Sequence, residues 1–203
     1  MSSAENSEKF EIRTIEVAGL GSALQALRLP FGKECRSIVY ADRFKSKGTD
    51  RFESKDQNDE RYTEIEFLSH IYIHSKDMEL LKTLVKRGDE HSKVLRGVMV
   101  WCEINAPRYW WAEMDTYRIG AERLSSESTM HIEGKGLSEE ELLKVKESLP
   151  EGHMQKRVWM FSYQTLRRIY FQRKDHRLPQ WRQFCAWVET LPFADDFITI
   201  ENE

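Results

Sequence analysis

Apolar and polar positions divide the first half of the chain into strand-like and helix-like segments. Apolar and polar residues alternate from Phe10 to Val17, which predicts a β-strand. Residues 19–29 predict a short helix that ends at Pro30. The apolar, β-branched run 65–73 fits either a strand or a short buried helix, and Ser75 is predicted to cap a helix that stops at Gly88.

The second half continues this pattern with longer elements. A strand is predicted over 98–105, and Pro107 suits the first turn of an aromatic helix, where its missing N–H costs nothing. Ser138 and Glu141 form a capping-box pattern that predicts a helix start. A longer helix is predicted over 158–172, and Pro179 opens a last one. Strands interleaved with helices predict an α/β or α+β protein with a mixed sheet flanked by helices.

Chain length and local composition predict the domain organisation. The 203 residues suffice for one sizeable core, so residues 1–203 are expected to form a single domain. Residues 1–8 are small and polar and are expected to be disordered. Residues 42–61 are dense in charge and poor in apolar side chains, which predicts a surface loop or insertion. The acidic tail 195–203 is expected to be exposed.

Composition excludes several classes of protein. A net charge of −3 argues against a general polyanion binder. No apolar run reaches the roughly 20 residues of a membrane-spanning helix, and the first residues lack a signal-peptide core, so a cytoplasmic protein without membrane association is expected. Cys102 and Cys185 lie in apolar surroundings and are predicted to be buried and inert. His70 and His74 have no evident third ligand nearby, so no metal site is predicted.

Cationic side chains concentrate near the end of the chain, although the total charge is negative. They are opposed locally only by Asp175, and aromatic residues lie among them. A nucleotide could place its phosphate on arginine and its base on an aromatic face. A solvated helix face and a nucleic-acid groove use the same residue types, so both alternatives stay open. The basic residues are Arg167, Arg168, Arg173, Lys174, Arg177 and Arg182, beside Tyr163, Tyr170 and Trp181.

The segment 106–128 carries the most specific pattern in the chain. It reads APRYWWAEMDTYRIGAERLSSES, a Pro-led aromatic helix followed by a Ser-rich turn. This layout resembles the signature region of the flavin-dependent thymidylate synthases. In an ungapped comparison, Arg118 and Ser126 are identical to functional positions of that signature.

A second region resembles the same family at matching spacing. Leu149-Pro150 is followed by Ser162, Gln164 and Arg173, and then by Pro179-Gln180-Trp181. Arg173 falls where the family places the arginine that contacts the pyrimidine ring and promotes its ionisation. Lys146 falls near a family arginine that binds the substrate nucleotide. Together the two regions cover about half of the chain.

The resemblance implies a function, its ligands and its site. It implies FAD-dependent methylation of a pyrimidine deoxynucleotide, of the dUMP-to-dTMP type, with methylenetetrahydrofolate as one-carbon donor and NADPH as reductant. It also implies a homotetramer. The differences from the motif predict that the chain belongs to a divergent branch of the family, of the kind found in phage genomes. Arg173 would be catalytic. The implied substrate-binding residues are Glu113, Ser126, Ser128, Lys146 and Arg173, and the implied cofactor-binding residues are Tyr117, Arg118, Ile119, Ser162, Gln164 and Arg168.

Several positions depart from the family pattern. Thr116 and Tyr117 replace an Arg-His pair, and Ser128 replaces an arginine. Glu113 replaces a glutamine and introduces a negative charge, which would repel phosphate unless it is protonated or paired, for example with Arg118 or Arg123. The alternative function is therefore a catalytically lapsed relative that binds a nucleotide or nucleic acid, or that serves as an interaction protein.

Overall fold

The computed structural model describes residues 9–33, 38–40 and 70–203. The predicted disordered segment 1–8 and the predicted charged loop 42–61 lie outside the described residues.

A four-stranded sheet forms the centre of the described structure, and a separate pair of short strands accompanies it. The strands are β1 (Glu11–Ala18), β2 (Ile38–Tyr40), β3 (His70–Tyr72), β4 (Met99–Pro107), β5 (Ala121–Ser126) and β6 (Met154–Ser162). The larger sheet has the order β1-β4-β6-β5, and β2 pairs with β3. All described pairs are antiparallel, so the α+β class is confirmed and the sheet is antiparallel rather than mixed.

Eight α-helices accompany the described strands. They are α1 (Leu20–Leu27), α2 (Ser75–Lys86), α3 (Arg108–Met114), α4 (Thr129–Ile132), α5 (Glu139–Ser148), α6 (Tyr163–Arg173), α7 (Pro179–Glu189) and α8 (Ala194–Phe197). Within the part of the chain that the structure describes, no helix is long and apolar enough to cross a membrane.

The core lies against one face of the sheet. Val100, Cys102 and Ile104 alternate along β4 and are fully buried, as period-two patterning requires. Trp159 and Phe161 of β6 lie on the same face, since they pair in register with Cys102 and Val100. This face is covered by the aromatic side chains of α3 and α7, which make edge-to-face and tilted ring contacts with one another. Four side chains meet there: Trp110, Trp111, Trp181 and Phe184.

The predicted helix over 158–172 is wrong in its first part. Residues 154–162 form β6, and the helix begins only at Tyr163. Val158 and Phe161 fit a helical period, but a short apolar run does not distinguish a strand from a buried helix. Pairing with β4 on one side and β5 on the other decides for the strand, because a central strand satisfies its backbone groups on both edges.

The predicted Ser-rich turn is also wrong, because residues 121–126 form strand β5. This strand pairs with β6 and has an irregularity between Arg123 and Ser125. Most of its side chains are exposed, so an apolar pattern for a strand is missing. The turn of this region instead lies earlier, between the end of α3 and Gly120.

Helix starts were predicted with mixed success. The Ser138–Glu141 capping box of α5 is confirmed, with both reciprocal hydrogen bonds present. The predicted cap Ser75 is wrong: His74 is the N-cap of α2, and its Nδ1 accepts from the Lys76 amide at 3.2 Å. Pro107 is the N-cap of α3 and ends β4, one position before the predicted first turn.

The acidic tail is not uniformly exposed as predicted. Phe197 and Ile198 are fully buried, and they extend the core beyond the last long helix. The buried Arg167 guanidinium donates to the carbonyl oxygens of Ile198, at 2.7 Å, and of Ile200. A buried guanidinium requires hydrogen-bond acceptors, and the tail supplies them. Arg167 of α6 therefore holds the tail against the domain.

Candidate functional site

Arg173 stands in the last turn of α6 and points toward α3. Its Nη1 lies 2.6 Å from Oε2 of Glu113, and its Nε donates to the hydroxyl of Tyr117 at 2.7 Å. The guanidinium also lies over the ring of Trp181, 4.5 Å from its centroid. Because 19% of the side chain is exposed, this ion pair is only partly screened by water.

Two further nitrogen atoms lie near the same carboxylate oxygen of Glu113. Nε1 of Trp181 donates to it at 2.9 Å, and Nε2 of His176 lies 3.7 Å away. The Tyr117 hydroxyl in turn donates to Oε1 of Gln172 at 3.0 Å. We call this set the Arg173 cluster; it comprises Glu113, Tyr117, Gln172, Arg173, His176 and Trp181.

The predicted partner of Glu113 is wrong. Arg173 neutralises it, whereas Arg118 and Arg123 both lie at Asp115. The reason is helical geometry: positions 113 and 115 point to different sides of α3 and its end. Glu113 consequently faces α6 and α7, while Asp115 faces the sheet at Arg157.

The turn after α3 carries three of the six resemblance-implied cofactor residues and brings two of them to the surface. Arg118 is exposed and makes one long hydrogen bond, from Nε to the Asp115 carbonyl at 3.4 Å. Ile119 is 79% exposed. Together with the half-buried ring of Tyr117, they offer one cation and two apolar surfaces, a combination that suits part of a flavin.

The other three implied cofactor residues are engaged within the chain. Ser162 is the buried N-cap of α6, and its Oγ accepts from the Thr165 amide at 3.2 Å. Gln164 is buried, accepts from Nε of Arg96 at 2.6 Å and donates to the Asp89 carbonyl at 2.8 Å. Arg168 forms an ion pair with the Asp89 carboxylate. These polar groups would have to break internal bonds to contact a cofactor.

A cleft of about 510 Å³ opens on the other side of α3 and contains Lys146. We call it the Arg157 cleft. Its lining combines several cations with two exposed or partly exposed acids. The lining residues are Arg108, Trp111, Ala112, Asp115, Thr129, Lys146, Leu149, Glu151, His153, Gln155 and Arg157.

Ser126 and Ser128 lie close to this cleft without lining it. Ser126 is exposed on β5 and pairs in register with Arg157 of β6. Ser128 is the N-cap residue of α4, and its side chain makes no capping hydrogen bond. Two groups of predicted residues therefore result, one at the Arg173 cluster and one near the Arg157 cleft.

The basic residues of α6 and α7 do not form one cationic face. Arg167 is buried, Arg168 and Arg173 are paired with carboxylates, and Lys174 lies 3.6 Å from Glu201. Tyr163 and Trp181 are fully buried and cannot stack on a base. The predicted combination of clustered cations and aromatic platforms is thus wrong in this form, because successive helical positions point in different directions.

Both described cysteines are buried, which disfavours the reactive thiolate form. Burial raises the pKa of Cys102 far above its ordinary value and the pKa of Cys185 to about 12, so both thiols stay protonated near neutral pH. Among the described residues, no group of three His, Cys, Asp or Glu side chains could hold a metal ion.

The sequence did not single out Asp115, Arg157, Gln172 or His176. Arg157 directly precedes the run 158–172 that was predicted as helix, so no strand was predicted that would place it on the core-facing side of β6. A strand interpretation would have placed an arginine two residues from the buried Trp159, an unusual pattern that marks a paired or ligand-binding cation.

The similarity of this chain to known proteins lies in its fold and not in its sequence. In sequence the chain matches no protein-family profile and no curated protein. In structure it has the fold of the flavin-dependent thymidylate synthases. One solved neighbour is the Helicobacter pylori enzyme complexed with FAD and dUMP, with a TM-score of 0.59, 14% identity, and coverage of 93% of this chain and 97% of the other. A second structure from the same organism with FAD and dUMP has a TM-score of 0.59, 15% identity, and coverage of 94% and 97%.

Proposed function

We propose that this chain binds FAD and a pyrimidine deoxynucleotide and methylates the nucleotide in a dUMP-to-dTMP type of reaction. The observation that carries the proposal is the contact between Arg173 and Tyr117, which are 56 positions apart in sequence. The first was implied to act on the pyrimidine and the second on the flavin. A fold that joins these two positions supports a shared site for both ligands.

In this proposal each residue has a distinct role. Arg173 would stabilise negative charge that develops on the pyrimidine ring, in the manner of an oxyanion site. Tyr117, Arg118 and Ile119 would hold the flavin, which supplies the hydride. Lys146, Ser126 and Ser128 lie on the other side of α3 from Arg173, so they would bind the nucleotide phosphate in a site that two chains of the oligomer form together. A folate would donate the one-carbon group and NADPH would reduce the flavin.

The visible spectrum of the purified protein tests the cofactor proposal. We expect flavin absorption bands, either as isolated or after FAD is added and excess is removed. Formation of dTMP from dUMP, methylenetetrahydrofolate and NADPH then tests the reaction. A preparation that stays colourless with added FAD and forms no dTMP contradicts the proposal.

A second candidate function is favoured by the Glu113–Arg173 ion pair. At 2.6 Å the carboxylate offsets the positive charge that the methylation chemistry would use. Thr116 and Ser128 also supply no cation where the family has arginine. The second candidate is a lapsed relative, on a divergent phage-like branch, that binds the nucleotide without converting it. Binding of dUMP without dTMP formation is its expected signature.

Exposed apolar side chains support a homo-oligomer. Within residues 119–143 the structure exposes six large apolar side chains, and exposed apolar surface is a common feature of protein–protein interfaces. They are Ile119, Leu124, Met130, Ile132, Leu137 and Leu143. Light scattering on the purified protein is expected to give a tetramer of 24.1 kDa chains, and a monomer at micromolar concentration would contradict this.

A further inference from the structure

Arg157 is an unusual residue on the core-facing side of β6. It shares that face with Trp159 and Phe161, which are buried. Its guanidinium lies over the ring of Trp111, 4.4 Å from the centroid, and only 11% of its side chain is exposed. This cation–π contact holds the guanidinium against the tryptophan, and both residues line the Arg157 cleft.

The hydrogen bonds of Arg157 do not use every nitrogen of its guanidinium. Both carboxylate oxygens of Asp115 lie 3.0 Å from the same nitrogen, Nη1. Nε donates to Oε1 of Gln155 at 3.0 Å, and Nη2 has no partner among the described residues. The pair with Asp115 is therefore not the two-nitrogen fork that arginine forms with a well-fitted anion.

The surroundings of Arg157 carry more positive charge than Asp115 offsets. Nη1 of Arg123 lies 3.7 Å from Asp115, and Arg118 donates to its carbonyl. Burial lowers the pKa of Arg157 below its ordinary value, and the nearby Arg123 charge also lowers it, while the hydrogen bond and ion pair with Asp115 raise it. An arginine stays protonated in this setting, so the excess charge persists.

Two further cations face the same cleft. Arg108 donates from Nη1 to the Leu149 carbonyl at 3.1 Å and keeps other donors free, and Lys146 is exposed. The acids of the lining are Asp115 and the exposed Glu151, while His153 lies 3.2 Å from Glu133. The volume of about 510 Å³ admits a nucleotide-sized ligand.

We propose that Arg157 is the principal phosphate-binding residue of this cleft, with Arg108 and Lys146 as additional cations and Asp115 as an internal counter-ion that the phosphate displaces. This inference rests on the proposed function, since it identifies the phosphate subsite of the nucleotide or flavin. The in-register pairing of Arg157 with Ser126 supports it, because paired residues project from the same face of a sheet. Arg157 would thus supply the cation that is missing at Ser128.

Binding of inorganic phosphate and pyrophosphate to the purified protein tests the proposal directly. Anion binding would be measured by calorimetry and by tryptophan fluorescence for the unaltered protein, Arg157→Gln, Asp115→Asn and the control Arg87→Gln. Arg87 is exposed and loses the same charge on substitution. We expect Arg157→Gln to weaken anion binding about tenfold or more, Asp115→Asn to strengthen it several-fold, and the control to change little.

Opposite effects of the two variants separate ligand binding from structural support. If Arg157 and Asp115 only stabilise the fold, both substitutions weaken binding alike, which would overturn the proposal. Equal binding by Arg157→Gln and the control would overturn it as well, as would an unaltered protein that binds no phosphate. Arg157→Lys keeps the charge and is expected to retain part of the affinity, which guards against a glutamine variant that fails to fold.

Paired ligands then identify the source of the phosphate and separate this inference from the proposed function. A dUMP-over-deoxyuridine preference that Arg157→Gln abolishes assigns the cleft to the nucleotide. The same result with FAD and riboflavin assigns it to the flavin. Arg157-dependent phosphate binding without affinity for dUMP or FAD keeps the inference and contradicts the proposed function. Binding of dUMP or FAD that does not depend on Arg157 supports the proposed function and contradicts the inference.

Discussion

A variant with glutamine in place of Glu113 is expected to bind dUMP about ten to a hundred times more tightly than the unaltered chain. The carboxylate accepts from Arg173 at 2.6 Å and from Trp181 at 2.9 Å. Glutamine keeps an acceptor of the same shape and removes the charge. A unit charge at about 4 Å from an anionic ligand costs about 4 kcal/mol at an effective dielectric constant near 20. The expected gain corresponds to about 1.4–2.7 kcal/mol. It is smaller than the Coulomb figure because 34% of the Glu113 side chain is exposed and solvent screens its charge.

Two controls make the Glu113→Gln result specific. Glu103→Gln removes the same charge from the exposed pair with Arg13 and is expected to leave dUMP affinity unchanged. The double variant Glu113→Gln, Arg173→Gln is expected to lose the gain, since the released cation is then absent. Unchanged or weaker dUMP binding by Glu113→Gln would show that Glu113 does not oppose the ligand. A gain in affinity together with new dTMP formation would identify Glu113 as the residue that silences the chemistry.

Alanine at position 120 is expected to destabilise the protein by about 2–4 kcal/mol. Gly120 has φ +71°, a left-handed conformation that side chains rarely adopt. A Cβ there would overlap Oγ1 of Thr165 and lie 2.7 Å from Oγ of Ser162. Those two hydroxyls bond to each other at 3.0 Å, and Ser162 caps α6. The substitution therefore combines backbone strain with loss of a helix cap.

Gly136 provides the matched control for this prediction. It also has a left-handed backbone, with φ +81°, but a Cβ there would meet nothing within 4 Å. Gly136→Ala is expected to cost only the conformational part, about 1–2 kcal/mol. Urea unfolding of both variants gives the difference. If Gly120→Ala costs no more than Gly136→Ala, the overlap with Ser162 and Thr165 is relieved by a small shift, and the turn is not fixed to α6 in the way described.

The sequence predicted the α+β class and most elements because local patterns determine them. The capping box at Ser138 and the proline at the start of α7 are short-range signals, and both are confirmed. Strand β6 was missed because its identity depends on pairing with β4 and β5, which no local window contains. Strand β5 was missed because its polar, exposed side chains give no apolar alternation.

The contacts within the candidate site depend on tertiary packing more than on local sequence. The resemblance to the thymidylate synthase motifs implied Arg173 and Tyr117 as site residues, and the fold brings them together. The partner of Glu113 was not predictable, because α3 and α6 meet only through tertiary packing. Arg157 was missed because strand β6 was not predicted, and its contact with Trp111 joins β6 to α3 across 46 positions.

The turn between Tyr117 and Gly120 is attached to α6 at both ends of that helix. Near its start, the Ser162 amide donates to the Gly120 carbonyl at 2.8 Å. Near its end, Arg173 donates to Tyr117. A backbone braced in this way is preorganised, so a bound molecule would meet little entropic penalty from ordering it. Evolution could then exchange single charged side chains such as Glu113 and change which compounds are accepted, while the scaffold stays as it is.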